Sequence, residues 1–154
     1  MNRRLLLAAA VLAALGMARR PPEKKMTDPA ALAAVDVIPA EWRGAQCAVT
    51  EPGARVINDA AAWAALWTSA FGTTAPAVDF KDYVAVAVFA GLKPSGGWSP
   101  EFLLPEAAAP GAVVVPYQIK GPGPGAFVTM AFTKPYAVRL YRRPALPLRA
   151  EERK

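Results

Sequence analysis

Residues 82–100, DYVAVAVFAGLKPSGGWSP, decide the fold of this 154-residue chain. Residues 82–90 are almost entirely apolar, which predicts a central strand that is buried on both faces. Gly96 and Gly97 permit positive φ values, and Pro94 stiffens the entry to the turn, so a tight reversal is expected after the strand. The chain is therefore expected to form a β-sheet around this segment.

One helix is predicted upstream of that strand, over residues 60–71. Asn58 or Asp59 supplies its N-terminal cap, and Gly72 ends it. Four apolar residues repeat at spacings of three and four, which places them on one stripe of the helix: Trp63, Leu66, Trp67 and Ala70. We expect this stripe to pack on the sheet, as aromatic residues at helical spacing usually form core.

The rest of the chain alternates like antiparallel strands, with expected strands at residues 45–50, 54–57, 98–104, 111–120, 126–133 and 137–142. Pro100 makes the strand at 98–104 an edge strand or a bulge. The expected fold class is α+β, an antiparallel β-sheet meander of about six strands, curved or barrel-like, with one amphipathic helix packed on it. The globular domain should span residues 41–143, and residues 144–154 should form a basic C-terminal tail.

The N-terminal residues have the layout of an export signal. Arg3 and Arg4 precede an apolar run and a small-residue cleavage site, so residues 1–18 are predicted to be a signal peptide. Residues 19–40 are predicted to be a linker with a short helix. The protein is then expected to be periplasmic or extracellular and not a lipoprotein, because no cysteine stands at a cleavage site after the apolar run. Membrane contact is expected only through this signal, or through the same segment retained as an uncleaved anchor.

The composition argues against several functions. The chain has no histidine and a single cysteine, Cys47, so it lacks the usual acid–base and metal-binding residues. No catalytic residue, no metal site and no cofactor are expected, and Cys47 is expected to be a small buried hydrophobic residue. The net charge is +6, with the basic residues concentrated near the two ends. This distribution is typical of solvated tails, so no nucleic-acid partner is expected.

Several short motifs follow one another in a recognisable order. They are the apolar strand and glycine at 84–91, Pro94-Ser95-Gly96-Gly97-Trp98, a valine-rich strand, the Gly-Pro alternation at 121–125, and Thr133-Lys134-Pro135-Tyr136-Ala137-Val138. Over residues 84–141 this order resembles the PrcB-type C-terminal domain of exported bacterial proteins. The slot after the two glycines is commonly tyrosine in that family, and here it is tryptophan.

The resemblance implies a function without catalysis. The family takes its name from a subunit that associates with and stabilises a surface protease, so the expected function is an exported protein-binding module whose partner is another exported protein, a protease. The alternative is a carrier of small apolar ligands in the cell envelope, with a pocket between the sheet and the helix that bears Trp63 and Trp67.

Two glycine-rich loops are the expected partner-binding site, although each could also be a purely structural turn. Their residues are Lys93, Pro94, Ser95, Gly96, Gly97, Trp98, Gly121, Pro122, Gly123, Pro124 and Gly125.

Overall fold

A computed structural model describes residues 41–108 and 111–154. The predicted signal peptide and the linker with its short helix lie outside these residues. The part described contains one helix and eight strands, and the strands form two sheets. In chain order the elements are β1 (Glu41–Gly44), β2 (Gly53–Ile57), α1 (Ala60–Phe71), β3 (Tyr83–Phe89), β4 (Ser99–Phe102), β5 (Glu106–Ala108), β6 (Ala112–Lys120), β7 (Tyr136–Arg142) and β8 (Leu148–Glu152). The predicted α+β class is confirmed.

The first sheet has β3 as an inner strand. Its order is β1-β7-β3-β2, and all neighbouring strands run antiparallel. Val86 lies opposite Val56 on one side and Arg139 on the other. Since β3 is paired along both edges, its backbone donors and acceptors are satisfied by the ladder, as buried strands require.

The second sheet is built around the long strand β6. β4 and β5 lie end to end along one edge of β6 and run antiparallel to it, while β8 runs parallel along the other edge. Between β4 and β5, the backbone N–H of Leu103 donates to the Pro116 carbonyl at 2.8 Å, which continues the ladder. The sheet therefore has four strands, although two of them share one edge.

The three layers are α1, the first sheet and the second sheet, and β3 lies in the middle layer. Its odd-numbered residues Ala85, Ala87 and Phe89 belong to the core under α1. Its even-numbered residues pack with the second sheet in a separate core cluster: Val84, Val86 and Val88. Successive side chains of a strand point to opposite faces, so a strand between two cores must be apolar throughout. The prediction of a strand buried on both faces is confirmed.

The helix also agrees with its prediction. The Asp59 carboxylate accepts a hydrogen bond from the Ala62 N–H at 2.8 Å, and Gly72 ends the helix in the left-handed region at φ +66°. All four stripe residues are buried. No helix in residues 41–108 or 111–154 is long and apolar enough to cross a bilayer.

The strand count and the topology were predicted wrongly. The described residues contain eight strands rather than about six, and their order is not a simple meander. The barrel-like alternative is also wrong, because neither sheet closes on itself.

The first predicted strand lies in the wrong place. β1 precedes residues 45–50, which instead connect two parts of the core. The Ala48 N–H donates to the Ala70 carbonyl at the end of α1, and the Lys134 N–H donates to the Ala45 carbonyl. Because these backbone groups are hydrogen-bonded to α1 and to Lys134, they do not pair with a neighbouring strand.

The predicted tail and one predicted strand also differ from the structure. Residues 144–154, expected to be a basic tail, contain β8, whose Leu148 and Ala150 pack against the core between the sheets. Residues 126–133 do not form a strand, and only Thr133 makes an isolated bridge, to Lys93.

Candidate functional site

The connection between β6 and β7 is the longest one in the described part of the chain. It comprises the fifteen residues 121–135, here called the β6–β7 loop, and contains no helix or strand. Loops of this length without secondary structure are uncommon inside compact domains, and they usually serve a function. This loop includes the predicted contact residues 121–125.

Hydrogen bonds hold the β6–β7 loop against the other predicted loop. Lys93 and Thr133 exchange two backbone hydrogen bonds at 2.8 and 3.0 Å, and the Gly96 N–H donates to the Thr129 carbonyl at 2.8 Å. The buried hydroxyl of Thr133 donates to the Ser95 carbonyl at 2.7 Å. The two glycine-rich loops, which are distant in sequence, therefore form one surface.

Two glycines allow this close approach. Gly97 has φ +81°, and a Cβ atom there would lie 2.9 Å from a Val128 methyl group and 3.0 Å from Pro122. A Cβ atom at Gly121 would lie 3.0 Å from the ring of Trp98. Any larger residue at either position would push the loops apart. The glycine pattern therefore reflects how the two loops pack on each other.

The β6–β7 loop exposes three large apolar side chains, here called the apolar loop surface. Phe127, Met130 and Phe132 have relative exposures of 106%, 85% and 70%. Leu92, at the start of the other loop, is also exposed. Burying a Phe or Met side chain stabilises a fold by about 1.5–3 kcal/mol. Because these side chains are exposed, they add no such stabilisation to this domain. Several large exposed apolar side chains on one loop are typical of interaction sites.

Sequence reasoning missed these three residues, because residues 126–133 were expected to be a strand of the sheet. A signal was present in the sequence. Large apolar residues directly follow a Gly-Pro alternation that cannot enter a regular element. A long loop that begins with such a segment leaves its apolar residues without a partner strand.

The predicted site residues divide into exposed and internal positions. Pro94, Gly97 and residues 123–125 are exposed, whereas Ser95 is buried. The others are half-buried: Lys93, Gly96, Trp98, Gly121 and Pro122. The Lys93 ammonium lies 4.8 Å from the centre of the Trp98 ring, in cation–π geometry. Part of the predicted site is therefore internal packing that supports the exposed part.

The β6–β7 loop and the turn that contacts it contain basic residues and no acidic ones. The sequence has no Asp or Glu from Ala107 to Ala150, a stretch that contains the whole loop. Lys134 lies in the loop and Lys93 in the adjoining turn, and neither forms an ion pair with a described residue. The two loops therefore combine exposed apolar side chains with two lysines that have no acidic partner among the described residues.

Two other kinds of site, a metal site and a reactive cysteine, can be compared with the described residues. They contain no group of three or more His, Cys, Asp or Glu side chains that could hold a metal ion. The Cys47 thiol is buried and donates to the Lys134 carbonyl at 3.2 Å, and burial raises its pKa. The thiol therefore remains protonated at neutral pH, which makes it a poor nucleophile.

Aromatic rings pack between α1 and the first sheet. Trp42, Trp63 and Trp67 lie in mutual contact, with ring centres 5.4–5.6 Å apart. The Trp63 indole N–H donates to the Pro76 carbonyl at 2.8 Å. Beside these rings a groove of about 740 Å³ lies along α1, lined by Trp67, Phe71 and Tyr136 among others, so the carrier alternative stays a prediction.

These features define a layered α+β domain with an exposed apolar loop supported by a glycine-rich turn. Residues 84–139 match the family described as PrcB C-terminal. The match runs from β3 into β7 and includes both glycine-rich loops, which confirms the resemblance seen in the sequence. Comparison with curated proteins and with solved structures found no match.

Proposed function

We propose that this protein is a non-catalytic, exported module that binds another exported protein through the apolar loop surface, as a protease-associated subunit does. The observation that carries the proposal is the exposure of Phe127, Met130 and Phe132 on one ordered loop. Their burial against a partner would recover free energy that the isolated domain does not use.

The way the loop is held favours binding. Ordering a flexible loop on association costs free energy, and a loop that is already ordered avoids much of that cost. The backbone bonds from Lys93 and Gly96 to the loop, together with the bond from Thr133 to Ser95, supply this order. The glycine-rich turn thus has a supporting role, and the apolar side chains make the contact.

The family match supports the class of partner. A PrcB C-terminal segment suggests a domain that works as part of a protease complex. The predicted signal peptide would bring the chain to the compartment where exported proteases act. Non-catalytic binding also fits a sequence without histidine.

Site-specific photo-crosslinking in the native host tests this proposal. A photoreactive phenylalanine at position 127, 130 or 132 should crosslink to one discrete exported protein, and mass spectrometry should identify it as a protease. Leu104 offers a matched control, because it is 81% exposed but lies beyond the end of β4 opposite to the motif turn. The photoreactive residue at Leu104 should give no such product.

The same protein crosslinked equally from positions 104 and 127 would contradict the loop as the binding surface. No discrete product from any of the three loop positions would contradict protein binding there altogether. A discrete product that is not a protease would retain the binding module and refute the protease assignment.

A further inference from the structure

A cleft opens at one end of the two sheets. It has a volume of about 330 Å³ and lies where β2 begins and where β3, β6 and β8 end. Pro52, Ala90 and Ile119 give it apolar walls, and Trp98 lines it as well. Small-molecule sites have volumes of about 300–1,000 Å³, so this cleft fits a ligand at the small end of that range.

The lining of the cleft contains one cationic residue. Lys93 lines it, and the Lys93 ammonium forms no ion pair with any described residue. The ammonium instead lies 4.8 Å from the centre of the Trp98 ring. The aromatic face holds the charge in place and leaves its hydrogen-bond donors free for an oxygen ligand.

The lining also contains one anionic residue. Glu152, the last residue of β8, lines the cleft and lies opposite Tyr117 in the parallel register with β6. Burial raises the pKa of Tyr117, and the nearby Glu152 carboxylate raises it further. Glu152 forms no ion pair with a described residue either. The cleft thus carries two opposite charges that do not neutralise each other.

We propose that this cleft binds a zwitterion of amino-acid or dipeptide size with an apolar side chain. The ligand's carboxylate faces Lys93, its ammonium faces Glu152, and its side chain lies along Ile119 and the Trp98 ring. A simple anion would be repelled by Glu152 and a simple cation by Lys93, whereas a zwitterion satisfies both charges.

This site is separate from the protein-binding surface and does not rest on it. Lys93 and Trp98 belong to the turn that supports the β6–β7 loop, but Phe127, Met130 and Phe132 do not line the cleft. Zwitterion binding therefore tests one surface, and crosslinking from the loop tests the other.

Titration of the 15N-labelled full-length chain provides the first test. The probes are L-leucine and L-leucyl-L-leucine, each also with its amine acetylated or its carboxylate amidated, and the readout is the indole N–H signal of Trp98, assigned with Trp98→Phe. At least one zwitterion should shift this signal to saturation. Removing either terminal charge from that probe should weaken binding by about tenfold or more, because charge-assisted hydrogen bonds are lost. The stronger of the two zwitterions identifies the ligand size.

Variants that remove one charge test which residue of the cleft contacts which charge of the ligand. In Glu152→Gln the protein should no longer distinguish leucine from N-acetylleucine, and in Lys93→Gln it should no longer distinguish leucine from leucinamide. Glu151→Gln is a matched control, since successive residues of β8 point to opposite faces, and Lys81→Gln is an exposed control for lysine. Both controls should bind within about twofold of the wild-type protein.

Three results would overturn the proposal. They are the absence of a saturable shift with both zwitterions, equal binding of the charged and the capped probes, and retention of probe discrimination in Glu152→Gln and Lys93→Gln.

Discussion

Strand β3 and the β6–β7 loop are both rich in apolar residues, yet the strand buries them and the loop exposes its largest ones. Phe89 in β3 is 1% exposed, whereas Phe127 in the loop is fully exposed. Both lie in the segment that matches the PrcB C-terminal family. The same residue type therefore supports folding in the strand, whereas in the loop it is free for the recognition that we propose.

The difference comes from what lies beside each segment. β3 has strands on both edges and a core on both faces, so every side chain finds neighbours. The β6–β7 loop is attached through its backbone to Lys93 and Gly96, and this attachment leaves its large side chains pointing away from the domain. Mutations that separate the two roles should therefore affect either stability or binding, and not both.

The largest difference is expected between two phenylalanine substitutions. Phe89→Ala should destabilise the domain by about 3–5 kcal/mol, because it removes buried surface and leaves a cavity. Phe127→Ala should change stability by less than about 0.5 kcal/mol, because its ring has no burial to lose. Urea unfolding followed by circular dichroism measures both. Similar losses of stability in the two variants would mean that Phe127 is part of the core, and the contrast between strand and loop would be wrong.

The core between the sheets gives a second test, through pH. Burial raises the pKa of Tyr141 from 10.0 to about 12, and the Arg139 guanidinium partly opposes this effect. The folded state therefore retains a proton that the unfolded state releases, so this contribution is complete below pH 10 and is lost as the pH rises towards 12. The loss amounts to about 2–3 kcal/mol.

Tyr141→Phe should remove that dependence. Unfolding measured from pH 8 to pH 12 should show the wild-type protein losing about 2 kcal/mol more than the variant over this range. If the free energy of unfolding depended on pH in the same way for both proteins, water would have access to Tyr141. That result would contradict a buried core on both faces of β3.

A substitution that disturbs the contact between the two loops should lower stability by a smaller amount. Gly97→Ala should cost about 1–2 kcal/mol, because alanine is strained at positive φ and its Cβ would meet Val128 and Pro122. Gly123→Ala is the matched control in the loop itself, since a Cβ atom there has no atom within 4 Å and its φ lies outside the left-handed region. It should cost less than about 0.5 kcal/mol. Equal costs at the two glycines would refute close packing of the two loops.

The sequence predicted those parts of the fold whose pattern is local. The stripe of α1, its capping residue Asp59 and the run of residues in β3 each carry their own signal, and the structure agrees with all three. β5 and β8 carry almost none, because they are short edge strands that depend on pairing with β6. Leu148 and Ala150 become recognisable as core residues only once that pairing is known.

The candidate site shows the same limit. The glycine-rich turn was visible as a motif, but its contact with the β6–β7 loop is a long-range packing of Gly97 on Val128. Alternation of apolar residues over 126–133 favoured a strand because local pattern does not report whether a partner edge exists. The exposure of Phe127 follows from topology, which the sequence pattern did not contain.

The most direct test of the central claim combines the two roles in one variant, Phe127→Ser/Met130→Ser/Phe132→Ser. The tagged, full-length chain is purified from its host, and both its melting temperature and the amount of co-purified partner are compared with the wild-type protein. We predict a melting temperature within about 3 °C of wild type, because none of the three side chains is buried, and a loss of at least about tenfold in recovered partner. Recovery of the partner at the wild-type level by the folded variant would contradict the apolar loop surface as the site of recognition.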